Sequence, residues 1–105
     1  MSMNFGDTIK SIRLKRQETL HQLSMGTDID MTLLSKFERN VRFPTNDQLK
    51  RISKYLTIPE KELKSIVISS KIIKEYGIND TTYEAVQLVK EQLVPYIDLP
   101  RNKKS

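Results

Sequence analysis

A chain of 105 residues holds about one domain and one core, with little room for an enzyme's elaborate cleft. Its 18 Lys and Arg against 13 Asp and Glu give a net charge of +5, and the absence of Cys excludes a disulfide scaffold and a thiolate zinc site. No apolar run approaches the ~20 residues of a membrane span and Met1 to Asp7 lacks a signal peptide's apolar centre, so a cytoplasmic protein with no membrane partner is expected.

The apolar residues recur with helical spacing throughout, and no segment alternates with the period of a strand. Asn4 can cap a first helix that carries Phe5, Ile9 and Ile12 on one face and ends near Gln17. Thr19 can cap a short second helix, Leu20 to Gly26, with Leu20 and Leu23 inward and small Ser24 where helices approach. A break is expected over Gly26 to Ile29. Asp30 then caps a third helix from Met31 to about Arg39, with Leu34 and Phe37 on its inner side and Asn40 free to take a left-handed conformation at its end.

Pro44 forces an extended connection, and Thr45 caps a fourth helix with the stripe Leu49, Ile52 and Leu56. Pro59 suits the first turn of a fifth helix that runs to about Tyr76 before Gly77, with Leu63, Ile66, Val67, Ile72 and Ile73 as its apolar positions. The last helix spans roughly Thr82 to Leu93. Pro95 and Pro100 limit it, and residues 101–105 form a basic tail.

The charge is uneven. Residues 1–58 hold 10 basic and 6 acidic side chains, whereas residues 59–105 hold 8 and 7. An excess concentrated in the first half suits a polyanionic partner there, and a solvated basic surface would give the same composition. Two short helices joined by a tight turn, the second with polar side chains outward, are what reading a DNA major groove requires, because that groove is about 12 Å wide and admits one helix.

The residues sharpen this. Leu23-Ser24, Ile29, Leu34-Ser35-Lys36-Phe37-Glu38-Arg39 and Pro44 resemble the phage-repressor/Cro-like (XRE-type) helix-turn-helix family. That family's pattern reads Leu-Ala, then Gly-Val, then Ile-Ser-x-Ile-Glu-x-Gly, then Pro. The similarity runs from about Phe5 to Leu63. Asp28 stands where the family has its turn Gly, Asn40 where it has the Gly after the third helix, and Leu20 where a polar phosphate-contacting residue is usual. His21 or Gln22 can take over that contact. In addition, Leu20-His21-Gln22-Leu23, Asp30 with Leu33 to Lys36, and Lys71 to Tyr76 are similar to small regulators that accompany restriction-modification or DNA-methyltransferase genes.

The resemblance implies an all-α fold: a compact bundle of about five helices containing the helix-turn-helix in residues 1–63, with a C-terminal helical extension, residues 64–105, for dimerisation. Double-stranded DNA is then the expected partner. Met31, Thr32, Ser35 and Lys36 are the expected base-facing residues, since Lys can donate to guanine O6 and N7, Ser and Thr bond either way, and Met packs on a thymine methyl. An ordinary solvated helix face is the competing reading, strongest for Met31 and Thr32. Lys10, His21, Gln22, Arg39, Arg42, Thr45 and Asn46 are the phosphate candidates, the last two because they open a helix whose N–H groups attract anions. Asp30 serves as a cap, with contact to cytosine N4 the secondary possibility. By the same resemblance, Arg13 pairs with Glu38 as a structural ion pair rather than meeting phosphate.

Nothing points to catalysis. The lone His21 cannot make an ordinary zinc site, no glycine-rich phosphate loop or metal cluster is evident, and no cofactor is expected. The stripe Tyr83, Val86, Val89 and Leu93 is too apolar to leave bare, so it either folds back on its own domain or pairs with a second copy, and dimerisation is the favoured expectation. The leading expectation is a dimeric repressor or autoregulator on a short palindromic operator. An interaction module, such as an antitoxin-like protein whose second half holds a protein partner, is the alternative.

Overall fold

The computed structural model describes residues 4–97; Pro100 and the basic tail 101–105 lie outside the described residues. The fold is all-α, as expected. Its helices are α1 (Phe5–Lys15), α2 (Leu20–Thr27), α3 (Met31–Glu38), α4 (Asn46–Leu56), α5 (Glu60–Tyr76) and α6 (Asp80–Leu93), followed by a 3-10 turn at Val94–Tyr96. No helix among the described residues is long and apolar enough to cross a membrane. Contacts divide the chain into two units with the boundary between Lys71 and Ile72, inside α5.

The first unit holds the core. Phe5 and Ile9 of α1, Leu23 of α2, Leu34 and Phe37 of α3, and Leu49 and Ile52 of α4 are at most 1% exposed, and Leu63 and Val67 of α5 join them. Each such burial stabilises by about 1.5–3 kcal/mol. The rings of Phe5 and Phe37 meet edge to face at 6.5 Å, which ties α1 to α3 at the centre. α3 packs on both α1 and α2, and α2 packs also on α4.

Caps set the ends of these helices. Thr19 with Gln22 and Thr45 with Gln48 form reciprocal capping boxes at the starts of α2 and α4, so the amides of the cap and of the third helical residue are satisfied locally and the other first-turn amides stay open. Gln17, Asp28, Asn40 and Thr57 all have φ between 56° and 59°, so no left-handed turn of this unit uses glycine. Asp and Asn accept that conformation at low cost. Thr57 is the costly one, being β-branched, and there the amide still closes α4 on the Ser53 carbonyl.

Several expected boundaries shift, α1 ending at Lys15 rather than near Gln17, which is left-handed (φ 58°). α2 continues past Gly26 because Thr27 is buried and donates its hydroxyl to the Leu23 carbonyl at 2.8 Å, which leaves the turn to Asp28. α5 begins at Glu60, with the Pro59 carbonyl accepting from the amides of Glu62 and Leu63, both at 3.1 Å. α6 begins at Asp80 rather than Thr82, because Asn79 is the cap and accepts from the Thr82 amide at 2.8 Å.

The second unit comprises the end of α5, a turn at Gly77 (φ 84°) and α6. The Tyr76 carbonyl, left over at the end of α5, accepts from the Asn79 amide group at 2.9 Å and the Thr82 hydroxyl at 3.1 Å. Thr82 is the only buried residue of α6. Among its described residues, polar bonds and not an apolar core shape this unit.

Candidate nucleic-acid interface

α3 presents two opposite faces. Leu34 and Phe37 are fully buried, whereas Met31, Thr32, Ser35, Lys36 and Arg39 lie together on the other side of the helix. Met31 is 45% exposed and Thr32 is exposed, while Ser35 and Lys36 are half-buried. Lys36 forms no ion pair among the described residues, so its charge is free for an outside partner. Arg39 reaches back to Ser35, Nε to Oγ, at the long distance of 3.5 Å.

Asp30 opens this helix. One carboxylate oxygen accepts from the amides of Thr32 at 2.9 Å and Leu33 at 3.2 Å, which places a negative charge at the positive end of the helix dipole. The connection between α2 and α3 is Asp28-Ile29-Asp30, and Ile29 in its middle is buried. Ser24 donates its hydroxyl to the Ile29 carbonyl at 2.6 Å. The small side chain therefore both permits close packing and pins the turn.

A second clamp comes from α4, and sequence reasoning missed it. Arg51 Nη1 donates to the carbonyls of Thr27, at 3.2 Å, and Asp28, and its Nη2 pairs with Asp47 at 3.1 Å. A guanidinium thus sits on the last carbonyls of α2, where the helix dipole favours a cation. The signal available in the sequence was the spacing Asp47 to Arg51, one turn of α4, but nothing in it pointed to carbonyls more than twenty residues upstream.

The far end of α3 is held by α1. Arg13 donates from Nε and Nη2 to the two carboxylate oxygens of Glu38 at 2.8 and 3.0 Å, and from Nη1 to the Glu18 carbonyl at 2.8 Å. Glu38 lies at the end of its helix where the dipole is unfavourable to an anion, so a cation is needed there. The hydrogen bond to Glu38 raises the guanidinium's affinity for its proton above the ordinary value. Asn40 adds two contacts, accepting from the Gly6 amide at 3.0 Å and donating to Asn4 Oδ1 at 2.8 Å. A Cβ at Gly6 would stand 2.5–2.6 Å from the carbonyl oxygens of Glu38 and Phe37, so only glycine admits this approach. Ser70 of α5 completes the joint by accepting from the Phe5 amide at 2.8 Å. These polar joints carry no periodicity and were invisible in the apolar pattern.

The phosphate candidates divide into free and engaged groups. Lys10, His21 and Arg42 are exposed, and neither lysine nor arginine has an ion-pair partner among the described residues. Lys10 shares a shallow depression on α1 with Asp7, Ser11, Leu14 and Lys15. Gln22 and Thr45 have their side-chain oxygens committed to the capping boxes: Gln22 Oε1 accepts from the Thr19 amide at 2.8 Å, and Thr45 Oγ1 from the Gln48 amide at 3.2 Å. Asn46 accepts from Lys64 through its own side-chain oxygen. For these three, the groups left over are the backbone N–H of the first helical turn and the amide nitrogens of Gln22 and Asn46.

Between α2 and α4 lies a small polar cluster. Tyr55 donates its hydroxyl to Glu18 at 2.8 Å, and Arg16 pairs with the same carboxylate at 3.3 Å while lying 4.9 Å over the Tyr55 ring. The Tyr55 hydroxyl and then Arg16 hold the Glu18 carboxyl below its ordinary value, and the carboxylate holds the Tyr55 hydroxyl above its own. Gly26 gives the ring its place, since a Cβ there would fall 2.1–2.5 Å from it.

The four α6 residues expected at a dimer contact are exposed: Tyr83 by 69%, Val86 by 40%, Val89 by 52% and Leu93 by 52%. Val86 and Val89 line an apolar groove of about 470 Å³ together with Ile72, Tyr76 and Ala85, closed at one end by Asn79, Thr81 and Thr82. No family model, curated protein or solved structure matches the chain.

Proposed function

We propose that this protein is a sequence-specific DNA-binding transcriptional regulator, a repressor or autoregulator of the phage-repressor/Cro-like type, that acts as a dimer on a short palindromic operator. One observation carries the reading: α3 is buried along Leu34 and Phe37 and turns outward a face of Met31, Thr32, Ser35 and Lys36 chemically suited to base edges. The short turn, pinned from both sides by Ser24 and Arg51, supports it, because a helix that reads a groove must be held at a set angle by the helix before it. Lys10, Arg39 and Arg42 supply unpaired charge for phosphates, and the N-terminal ends of α2 and α4 supply backbone donors. In this reading the protein works in the cytoplasm, and control comes through its own concentration or a protein partner. The likeness to regulators that accompany restriction-modification genes fits such concentration control.

Selection of bound sequences from random duplex DNA, followed by affinity measurement at two salt concentrations, tests this. A palindromic motif bound ~10³-fold or more above random DNA is the expected result. Weak, steeply salt-dependent binding without a motif would reduce the basic half to an electrostatic anchor. The antitoxin-like interaction module then becomes the better reading. It is favoured by the bare apolar face of α6, and its mark would be a stoichiometric protein partner in a pull-down.

A further inference from the structure

The tip of α3 carries a carboxylate that its own helix uses only in part. Asp30 Oδ2 accepts from two first-turn amides, those of Thr32 and Leu33, whereas Oδ1 has no hydrogen bond and Asp30 no ion pair among the described residues. The residue is exposed, and Met31 beside it is 45% exposed. A charged acceptor and a soft apolar side chain therefore stand side by side, at the end of the helix that leads into a groove. Against DNA an unpaired carboxylate is costly, because it meets phosphates and loses water at the base edges. It is tolerated where a base offers it a donor, and it then rejects any base that offers an acceptor in the same place.

The major groove holds only two such donors, N6 of adenine and N4 of cytosine, and they differ in what lies beside them. Across an A·T pair the adenine amine is separated from the thymine methyl by thymine O4, an acceptor that repels a carboxylate. In cytosine, C5 is bonded to the carbon that bears the amine. A methyl group on that C5 puts a donor and an apolar group next to each other on one base, the complement of Asp30 beside Met31. We propose that Asp30 and Met31 together read 5-methylcytosine in duplex DNA, the carboxylate accepting from N4–H and the thioether packing on the C5 methyl, so that operator binding rises with cytosine methylation. Thymine has the methyl but presents O4 to the carboxylate. Unmethylated cytosine has the amine but leaves Met31 against a bare C5–H. This role rests on α3 being the reading helix of the function proposed above, and it adds the chemical state of the base that the helix reads.

The test uses the full chain and the operator selected from random duplexes made with cytosine and with 5-methylcytosine. Competition is then measured between duplexes carrying cytosine, 5-methylcytosine or N4-methylcytosine at each C·G pair of that operator. At one C·G pair in each half-site 5-methylcytosine is expected to bind tighter, by about fourfold per half-site, the worth of one buried methyl group. N4-methylcytosine there should bind more weakly than plain cytosine, since its remaining N–H is held in the base pair. Met31→Ala should abolish the preference for the 5-methyl group and keep the penalty for N4-methylcytosine. Asp30→Asn retains the cap, because the amide oxygen accepts from the same backbone groups, and turns an N–H donor outward in place of Oδ1. Its preference at that pair should move from 5-methylcytosine to thymine, whose O4 accepts and whose methyl occupies the same place, while thermal melting stays close to wild type. A 5-methylcytosine bound no tighter than cytosine at every position, or a preference that survives Met31→Ala, would overturn the proposal while the selected motif, and with it the DNA-binding reading, stands. Failure to select any motif would overturn both.

Discussion

Lys36 is the residue on which the proposed reading face turns. It is half-buried and its ammonium has no ion-pair partner among the described residues, so truncation removes an outward contact and little internal support. Lys36→Ala is expected to weaken operator binding by ~1–3 kcal/mol and to relax preference at one base pair, with stability almost unchanged. Equal weakening on every DNA sequence would identify a phosphate contact instead. Glu18 makes a different prediction, about acid. Its folded carboxyl titrates below the ordinary 4.5, so the stabilisation is present above that pH and is lost as pH falls through the depressed value. Tyr55→Phe deletes the leading cause, the phenol hydrogen bond. The stability gap between wild type and variant should therefore be constant above pH 5 and narrow below about 4.5. A gap that persists unchanged to pH 3 in thermal melts would show that the phenol does not hold the carboxylate.

At the scale of elements, the geometry of α2 against α3 depends on contacts from α1 and α4 as much as on their own turn. Arg51 is a positioning residue: it touches the last carbonyls of α2 and the Asp47 carboxylate. Gly26 performs a matching task by letting the Tyr55 ring lie against α2. Helix propensity alone would make Gly26→Ala stabilising by about 1 kcal/mol. The ring stands 2.1–2.5 Å from the new Cβ and is tethered to Glu18, so α2 or Tyr55 must move. The expected outcome in urea denaturation is a net loss of about 1–2 kcal/mol, the overpacking term exceeding the propensity gain. A more stable variant would mean that Tyr55 swings away at no cost. Glu38→Gln probes the other end of α3. It leaves Arg13, 11% exposed, without its anion and should cost about 2–3 kcal/mol, less than for a pair fully removed from water.

At the scale of the whole molecule, the proposal divides labour between a first unit with a core and a reading face and a second unit whose apolar surface awaits cover. A dimer multiplies the affinity of two weak half-site contacts by holding the second near its target. Leu93→Glu, which places a charge on the exposed α6 stripe, should lower the association state and with it the affinity for a palindromic operator, while a single half-site is bound as before. An unchanged mass in sedimentation would place the dimer contact elsewhere.

The sequence by itself determined the all-α class, the existence of each of the six helices and the inner faces of the first four, because apolar periodicity and capping residues act locally; of the five apolar positions expected on α5, Leu63 and Val67 are buried and Ile73 is exposed. Thr19, Asp30 and Thr45 are caps whose effect reaches only three residues, and each starts the helix it was expected to start. Leu34 and Phe37 were legible as core for the same reason, and with them the outward side of α3. What only the tertiary structure decided is how that face is held. The Arg51 clamp on Thr27 and Asp28, the Asn40 bridge to Asn4 and Gly6, and the Ser70 bond to Phe5 join residues between 23 and 65 positions apart. Such bonds form because packing strands polar groups that must find partners, and their partners are chosen by where the helices come to rest. The end of α2 was misplaced for a related reason: Gly26 looked like a helix end, and only the Tyr55 ring beside it explains why glycine stands there inside a helix.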